Sequence, residues 1–348
     1  MMDGAGCTIR YPWEEPPEHG QATQVAKGVL WIRLPLPMAL DHVNIYALDE
    51  GDSWTIVDTG IHSRRSVALW ESVLSGPLAS KPVGRVILTH HHPDHIGMAG
   101  WLMDRFGAGL TATRTSWLMA RMLILDEEER PTAQALKLWR AAGMDEAIYD
   151  ERKNARPFNF ADTCHPLPVG YTRVKDGDVL RAAGRDWDVR TGNGHAPEHL
   201  TLWSRDDNLV LAGDQILPSI SPNIGVYPTE PEADPLSDWL ASCTYFATLA
   251  REDHLVLGGH KLPFTGLPMR MRQLAENHHG ALLRLRDHLR TPRTAGECFA
   301  PLFKRKIDHG TYGLALVEAV AHLNHLHQAG DVIRTTREDG AWLWQMKE

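Results

Sequence analysis

Residues 89–97 read THHHPDHIG, and this stretch decides how the rest of the chain is interpreted. It places His90, His92, Asp94 and His95 within six positions, directly after a short apolar run that predicts a strand. Loops at strand ends are where functional sites often lie. Neutral imidazole is the commonest protein ligand for zinc, and an extended loop can direct alternate side chains to two neighbouring ions. The stretch therefore predicts a metal site, with a cluster of solvated histidines as the alternative.

The composition is that of an ordinary globular protein. The 348 residues are 43% hydrophobic and 23% charged, which suits one large domain or two smaller ones and excludes a disordered or fibrous class. The net charge of -8 argues against nucleic acid as the main partner. The N-terminus lacks a signal-peptide pattern, and no run approaches the roughly 20 apolar residues of a membrane span. We therefore expect a cytoplasmic protein without a membrane partner.

The four cysteines predict neither a disulfide framework nor a cysteine zinc site. They lie far apart and form no CxxC pair, so we expect reduced, scattered thiols. Their positions are Cys7, Cys164, Cys243 and Cys298.

The alternation of strand and helix patterns indicates an α/β fold. Strands are predicted at residues 29–32, 43–48, 54–57, 86–89, 178–180, 187–190, 201–203, 209–212 and 255–257. Helices are predicted at residues 64–74, 98–106, 236–250 and 268–289, with a helical insertion at 115–160. Two further helices, at residues 295–303 and 313–329, precede a predicted β-hairpin around the turn at 337–340. Helices followed by a hairpin suggest a small winged-helix domain.

Four other short motifs carry histidine or aspartate beside glycine or after an apolar run. They are IVDTG at residues 56–60, TGNGH at 191–195, AGD at 212–214 and GGH at 258–260. Each is weak alone, because a glycine-flanked Asp or His is common. Together with the cluster, and in this order over about the first 265 residues, they resemble the five motifs of the metallo-β-lactamase superfamily.

The resemblance implies a four-layer αββα sandwich that binds two metal ions. His90, His92 and His195 would form one site, and Asp94, His95 and His260 the other. Asp214 would bridge the two ions, and Asp58 would orient the metal-binding loop without binding a metal itself. The implied organisation is an N-terminal extension at 1–27, a catalytic domain at 28–268, a linking helix at 269–290 and a winged-helix-like domain at 291–348.

The implied function is hydrolysis by a hydroxide held between two zinc ions, with manganese or iron as possible replacements. Asp94 and Asp214 are the expected catalytic carboxylates. Because Asp214 stands where one group of true β-lactamases has cysteine, the sequence resembles the branch of glyoxalase II, lactonases and β-lactamase-like protein 2. We expect a thioester or lactone of a small molecule as substrate, and a homodimer is possible.

Three alternatives remain open at this point. The first is a single-strand ribonuclease that uses the same metals. Residues 291–348 contain seven basic and seven acidic residues, so this segment has no excess of positive charge for RNA, and only the run Lys304-Arg305-Lys306 favours RNA binding. An iron-dependent persulfide dioxygenase is disfavoured by the complete second ligand set. A noncatalytic scaffold is disfavoured because all seven ligands are present.

Several other polar residues receive weaker expectations. His91 and His199 adjoin the ligands, and either contacts with them or ordinary packing would explain their positions. His42 and Asn44 are candidates for the mouth of the site. His278 and His279 are expected to be solvated on a surface helix. The Met- and Leu-rich insertion could cover the metals and suits a partly apolar substrate.

Overall fold

The computed structural model describes residues 8–347, which form two compact units. The first unit comprises residues 8–127, 159–222 and 250–270, and the second comprises 128–158, 223–249 and 271–347. Cys7 and the first seven residues of the predicted N-terminal extension lie outside the described residues.

A seven-stranded sheet of the first unit runs in chain order from β1 to β7. Its first four strands pair antiparallel and its last four pair parallel, so the direction changes at β4. The strands are β1 (Ala22–Ala26), β2 (Val29–Pro35), β3 (His42–Asp49), β4 (Trp54–Val57), β5 (Val83–Ile87), β6 (Gly109–Ala112) and β7 (Thr172–Arg173).

A five-stranded sheet of the same unit has the order β12-β11-β10-β9-β8. All neighbours pair antiparallel except β11 and β12, which are parallel. The strands are β8 (Val179–Ala182), β9 (Arg185–Gly192), β10 (His199–Ser204), β11 (Leu209–Gly213) and β12 (Leu255–Gly258).

Alternating side chains give the seven-stranded sheet two apolar faces. One face contributes Trp31 and Leu48 to a core shared with Trp187 and Leu211 of the five-stranded sheet. The other face packs against helices of the first unit, including Trp70 of the helix that follows β4. These helices are α1 (Arg64–Ser75), α2 (Pro93–Ile96), α3 (Ala99–Phe106) and α4 (Arg114–Leu125). The unit is thus a mixed α/β structure with sheets flanked by helices.

The second unit is mainly helical. Its helices are α5 (Ala133–Ala141), α6 (Glu146–Arg152), α7 (Pro235–Leu249), α8 (Leu267–His288, whose first four residues belong to the first unit), α9 (Phe299–Leu302) and α10 (Tyr312–Gln328). A hairpin of β13 (Val332–Thr336) and β14 (Trp342–Met346) ends the unit. The helix and hairpin patterns of the sequence are confirmed here.

The structure differs from the sequence prediction in several elements and in the burial of one side chain. Strands β1, β6 and β7 were not predicted, and β5 ends at Ile87 rather than at residue 89. Strand β7 has only two residues, which is too few for a periodic pattern to emerge. The expectation that His278 is solvated is wrong, because its side chain faces neighbouring helices and is only 4% exposed. Among residues 8–347, no helix is long and apolar enough to cross a membrane.

Candidate metal centre

The candidate ligands follow strands of the two sheets, in loops or, for Asp94 and His95, in the short helix α2. Asp58 follows β4, the histidine cluster follows β5, and His195 follows β9. Asp214 and His260 follow the parallel pair β11 and β12. Parallel strands end at the same edge of a sheet, so residues far apart in sequence meet there.

Asp58 holds the histidine loop in place. Its Oδ1 accepts a hydrogen bond from the Thr89 backbone N–H at 2.9 Å, and its Oδ2 accepts from the Thr89 hydroxyl at 2.8 Å. Oδ2 also lies 2.8 Å from His95 Nδ1, which must donate because an ionised carboxylate only accepts. Nε2 of His95 therefore carries the lone pair that a metal ion needs.

His90, His92 and His195 form the first ligand group, with one nitrogen of each within 4.8 Å of the others. His90 Nε2 and His92 Nδ1 are 2.9 Å apart. The Thr89 hydroxyl, whose hydrogen goes to Asp58, lies 3.0 Å from His90 Nδ1 and accepts from it. This leaves the lone pair of His90 on Nε2, facing His92.

Asp94, His95 and His260 form the second ligand group. Asp94 Oδ2 lies 3.5 Å from His95 Nε2 and 3.4 Å from His260 Nε2. His260 Nδ1 donates to the carbonyl oxygen of His42 at 2.7 Å, so in the neutral ring the lone pair is on Nε2, as in His95. Both imidazoles thus present the same type of nitrogen to the carboxylate.

Asp214 faces both groups at once. Its Oδ2 is 3.1 Å from His260 Nε2 and 3.7 Å from His195 Nε2. Its Oδ1 is 3.5 Å from His95 Nε2. A single carboxylate therefore reaches members of the two ligand groups.

The arrangement fits divalent cations. With zinc–nitrogen bonds of about 2.0–2.1 Å, the edge of a tetrahedral coordination shell is about 3.3 Å, close to the distances between these donor atoms. Within residues 8–347, the buried His95 Nε2 and Asp214 Oδ1 have no hydrogen-bond partner. Five imidazoles and two carboxylates suit zinc, manganese or iron.

The electrostatics of the site favour added positive charge. Burial opposes the charged form of His260, yet Asp214 and Asp94 outweigh it and raise its pKa to about 10. Burial likewise opposes the charged form of His95, but Asp94, Asp214 and Asp58 together raise its pKa well above the usual range. In contrast, burial and neighbouring histidines lower the pKa of His90 and His92. The carboxylates therefore favour positive charge at the site, whether as protons on His95 and His260 or as a bound cation, whereas His90 and His92 stay neutral.

His42 and Asn44 lie behind His260, not at the mouth of the site as expected. His42 is 7% exposed, and its Nε2 accepts a hydrogen bond from the Lys261 N–H at 2.8 Å. Burial lowers its pKa to about 4, which keeps this acceptor neutral. Asn44 Nδ2 donates to the carbonyl oxygens of Gly258 and Lys261 at 2.9 and 2.8 Å. Both side chains fix the loop that carries His260. Neither residue belongs to a recognisable sequence motif, so the sequence did not predict this role.

His199 and His91 are both buried beside the ligands. His199 Nε2 accepts from the Asp214 backbone N–H at 3.1 Å, and its ring stacks on His90 with centroids 4.5 Å apart. Burial lowers the pKa of each to about 3, so both rings are neutral. His91 lies against a ligand ring too, with its centroid 4.7 Å from that of His92, and among residues 8–347 Nδ1 of both His91 and His199 has no hydrogen-bond partner.

Two motif glycines are required by close contacts. A Cβ on Gly259 would lie 2.3 Å from Asp214 Oδ1 and 2.8 Å from His95 Cε1. Gly213 has a φ of +48°, and a Cβ there would lie 2.6 Å from His199 Cε1. Both glycines therefore let the backbone approach the ligand side chains.

Comparison with known proteins identifies the family. Residues 38–287 match the metallo-β-lactamase superfamily, and residues 282–347 match the metallo-β-lactamase-like C-terminal domain. A β-lactamase domain protein of Burkholderia ambifaria is 34% identical, with a TM-score of 0.85 over 97% of both chains.

Two curated proteins are also similar. The probable metallo-hydrolase YqjP of Bacillus subtilis is 24% identical over 86% of this chain and 92% of its own. The β-lactamase-like protein 2 homolog of Caenorhabditis elegans is 24% identical over 53% of this chain and 47% of its own. Because the superfamily match covers well over half of the sequence, the chain belongs to the metallo-β-lactamase superfamily.

Proposed function

We propose that this chain is a hydrolase that uses two zinc ions to cleave an ester-type bond, a thioester or a lactone, of a small organic molecule. The observation that carries the proposal is the position of Asp214, whose carboxylate faces both ligand groups. His90, His92 and His195 would hold one ion, and Asp94, His95 and His260 the other. When bound, two such cations supply a hydroxide nucleophile at neutral pH and stabilise the oxygen that becomes negative.

The chain's own residues keep this site ordered and ready for proton transfer. The hydrogen bond to Asp58 and the bond to the His42 carbonyl fix the tautomers of His95 and His260. Asp94 is a half-buried carboxylate beside both imidazoles, and we assign it the proton transfer: it accepts the proton that the attacking water or hydroxide gives up and passes it to the leaving group. Manganese or iron could occupy the same donors.

An apolar stripe on α4 supports a partly apolar substrate. Leu118, Met122 and Leu125 recur at helical spacing and are 52%, 44% and 70% exposed. The start of this helix lies beside the loop that carries His195. The contact between them is a hydrogen bond of 2.8 Å from the Thr115 N–H to the Glu198 carboxylate. Exposed apolar side chains starting at a polar site suit an acyl group better than a nucleic acid.

The similarity to the C-terminal domain model and to a β-lactamase-like protein 2 homolog supports the branch assignment. We infer a complete four-layer αββα sandwich and a winged-helix-like arrangement of α9, α10 and the β13–β14 hairpin. We assign the C-terminal segment to packing or homodimer formation rather than to nucleic-acid binding.

A substrate panel tests the proposal. The purified full-length chain is assayed with a long-chain acyl-thioester, a lactone and a single-stranded RNA, beside elemental analysis of the same sample. We expect bound zinc and turnover of the thioester or lactone. Replacing Leu118 and Met122 with serine should raise KM for the long-chain substrate by roughly tenfold and leave kcat nearly unchanged, because only substrate binding is weakened.

The matched control is Val169→Ser, which removes an 82% exposed apolar side chain elsewhere in the first unit. It should not alter KM. Bound iron without hydrolysis would overturn the proposal. Cleavage of RNA alone would favour the ribonuclease, the second candidate, for which the exposed run Lys304-Arg305-Lys306 is the one supporting observation.

A further inference from the structure

A second group of potential metal ligands lies in the helical unit, outside the site described above. His278 comes from α8, and Glu318 and His322 come from α10. One donor atom of each lies within 4.8 Å of the other two. Glu318 and His322 are four residues apart, so they occupy the same face of their helix. The group therefore joins two helices through three side chains of metal-binding type.

The spacing of the imidazoles matches that of a shared ion. His278 Nδ1 lies 3.1 Å from His322 Nε2, close to the edge of about 3.3 Å expected for two nitrogens on one tetrahedral zinc. In the first unit, His90 and His92 approach equally closely, at 2.9 Å. The distance alone also fits a simple hydrogen bond, so the protons on the rings decide between the two.

The hydrogen bonds of the rings determine which nitrogens carry lone pairs. His322 Nδ1 lies 2.8 Å from the carbonyl oxygen of Glu318 and must donate to it. In the neutral ring, Nε2 of His322 then presents a lone pair to His278. His278 Nδ1 either donates to this lone pair or carries a lone pair of its own, and in both tautomers the buried Nε2 of His278 has no hydrogen-bond partner among residues 8–347. A cation between the rings would instead use the lone pairs of His278 Nδ1 and His322 Nε2 together.

The surroundings hold both imidazoles in the form that binds a metal and orient the carboxylate. His278 and His322 are 4% and 2% exposed, and burial lowers their pKa to about 3 and about 4, so both are neutral at pH 7. Metal ligation requires this neutral form. The Asn223 amide donates to Glu318 Oε2 at 2.8 Å and thereby orients the carboxylate. Burial raises the pKa of Glu318 to about 7, against the effects of Asn223 and Arg305.

Contacts around the rings limit their freedom. The Trp239 ring of α7 meets His278 at a centroid distance of 6.3 Å and an angle of 72°. The carbonyl bond of His322 is the kind of partner that fixes a ligating imidazole in orientation and tautomer. The three donors are thus held by packing and hydrogen bonds rather than displayed on a mobile surface.

We propose that His278, Glu318 and His322 bind a third metal ion, a transition-metal dication such as zinc, which ties α8 to α10. Two imidazoles and one carboxylate favour zinc, cobalt or nickel over magnesium or calcium, which prefer oxygen ligands. Three protein donors leave a position for water. The site has no part in the proposed hydrolysis, and its role is to stabilise the helical unit.

Metal counting on the full-length chain tests this site. Wild type, His322→Ala and Glu318→Gln are stripped with a chelator, equilibrated with micromolar zinc or cobalt, and analysed for bound metal. We expect His322→Ala to bind one ion fewer per chain than wild type. Glu318→Gln keeps an oxygen that can accept from Asn223, so it should fold and bind this ion more weakly.

The matched control is His279→Ala, because His279 is the exposed neighbour of His278 on the same helix. It should retain the wild-type number of ions. The difference between variants does not depend on how many ions the first unit binds, so failure here is distinguishable from failure of the proposed function. Equal metal content in wild type, His322→Ala and Glu318→Gln, with wild-type affinity, would overturn the proposal. If His322→Ala does not fold, Glu318→Gln and the cobalt absorption spectrum of wild type decide the question: a missing third binding phase contradicts the site.

Discussion

The two candidate metal sites differ in the secondary structure that carries their ligands. One is the metal centre of the first unit, and the other is the group of His278, Glu318 and His322 in the second unit. In the first unit, ligands follow strands directly, and four of them fall within six consecutive residues. In the second unit, they lie on two long helices, separated by 40 and 44 residues from His278. A loop at a sheet edge concentrates its ligands in the sequence, whereas helix packing brings them together only in three dimensions.

We expect the largest loss of activity when the carboxylate that faces both ligand groups is removed. Asp214→Asn should reduce kcat/KM by more than roughly 100-fold and lower the metal content, because even residues that only support metal ligands contribute roughly 10–100-fold. Helical content by circular dichroism should stay the same. Asp52→Asn, an exposed aspartate in a turn, is the matched control and should behave as wild type. Full activity of Asp214→Asn would remove this residue from the site.

A matched pair of glycine variants tests how tightly the loops pack around the ligands. Gly259→Ala places a Cβ 2.3 Å from Asp214 Oδ1, whereas the nearest atom to a Cβ on Gly258 is 3.2 Å away. Because small displacements of reacting groups can cost about 100-fold in rate, we expect a loss of that order for Gly259→Ala. Gly258→Ala should lose only a few-fold. Steady-state kinetics of both variants measure this, and equal rates would contradict the close packing.

The role of Asp58 can be separated from that of the ligands. Asp58→Asn retains the size of the side chain but weakens the acceptor of the His95 Nδ1–H bond. We expect metal affinity to fall by roughly 10–100-fold, with activity recovering at high zinc concentration. Competition with a zinc chelator measures the affinity. Activity that stays low at saturating zinc would show that Asp58 does more than position His95.

The smallest expected effect concerns the helical unit. With free zinc tenfold above its dissociation constant, binding should slow the amide exchange of α8 and α10 by about tenfold, because the ion binds only the folded state. His322→Ala should lose this protection and His279→Ala should keep it. Hydrogen exchange read by mass spectrometry measures it, and identical zinc protection in both variants would contradict a bound ion there.

The sequence predicts much of the first unit because its signals are local. The THHHPDHIG stretch contains four of the seven candidate ligands, directly after the strand that positions them. His42 and Asn44 were misplaced because their function depends on the pairing of β3 with the loop after β12, more than 200 residues later. Strand β7 has only two residues, which is too short for a periodic pattern.

His278 shows the same limit in the second unit. Its sequence neighbours Asn277 and His279 are exposed, which favours a solvated pair, although His278 itself keeps the three-to-four-residue spacing of the buried Met271, Leu274 and Leu282. Only the packing of α8 against α10 makes His278 a buried partner of His322. The available signal was the polar pair Glu318 and His322 on a helix whose other buried positions are mostly apolar. A helix of that kind predicts polar partners on a neighbouring element.

Activity as a function of bound zinc tests the central claim most directly. The stripped His322→Ala chain, which should lack the third ion, is titrated with zinc while hydrolysis of the preferred thioester or lactone and bound metal are measured together. We predict that the rate reaches its maximum when two ions are bound per chain, and that Asp214→Asn in this background stays inactive throughout. A rate that is complete at one ion, or that needs iron instead of zinc, would contradict the two-zinc hydrolase.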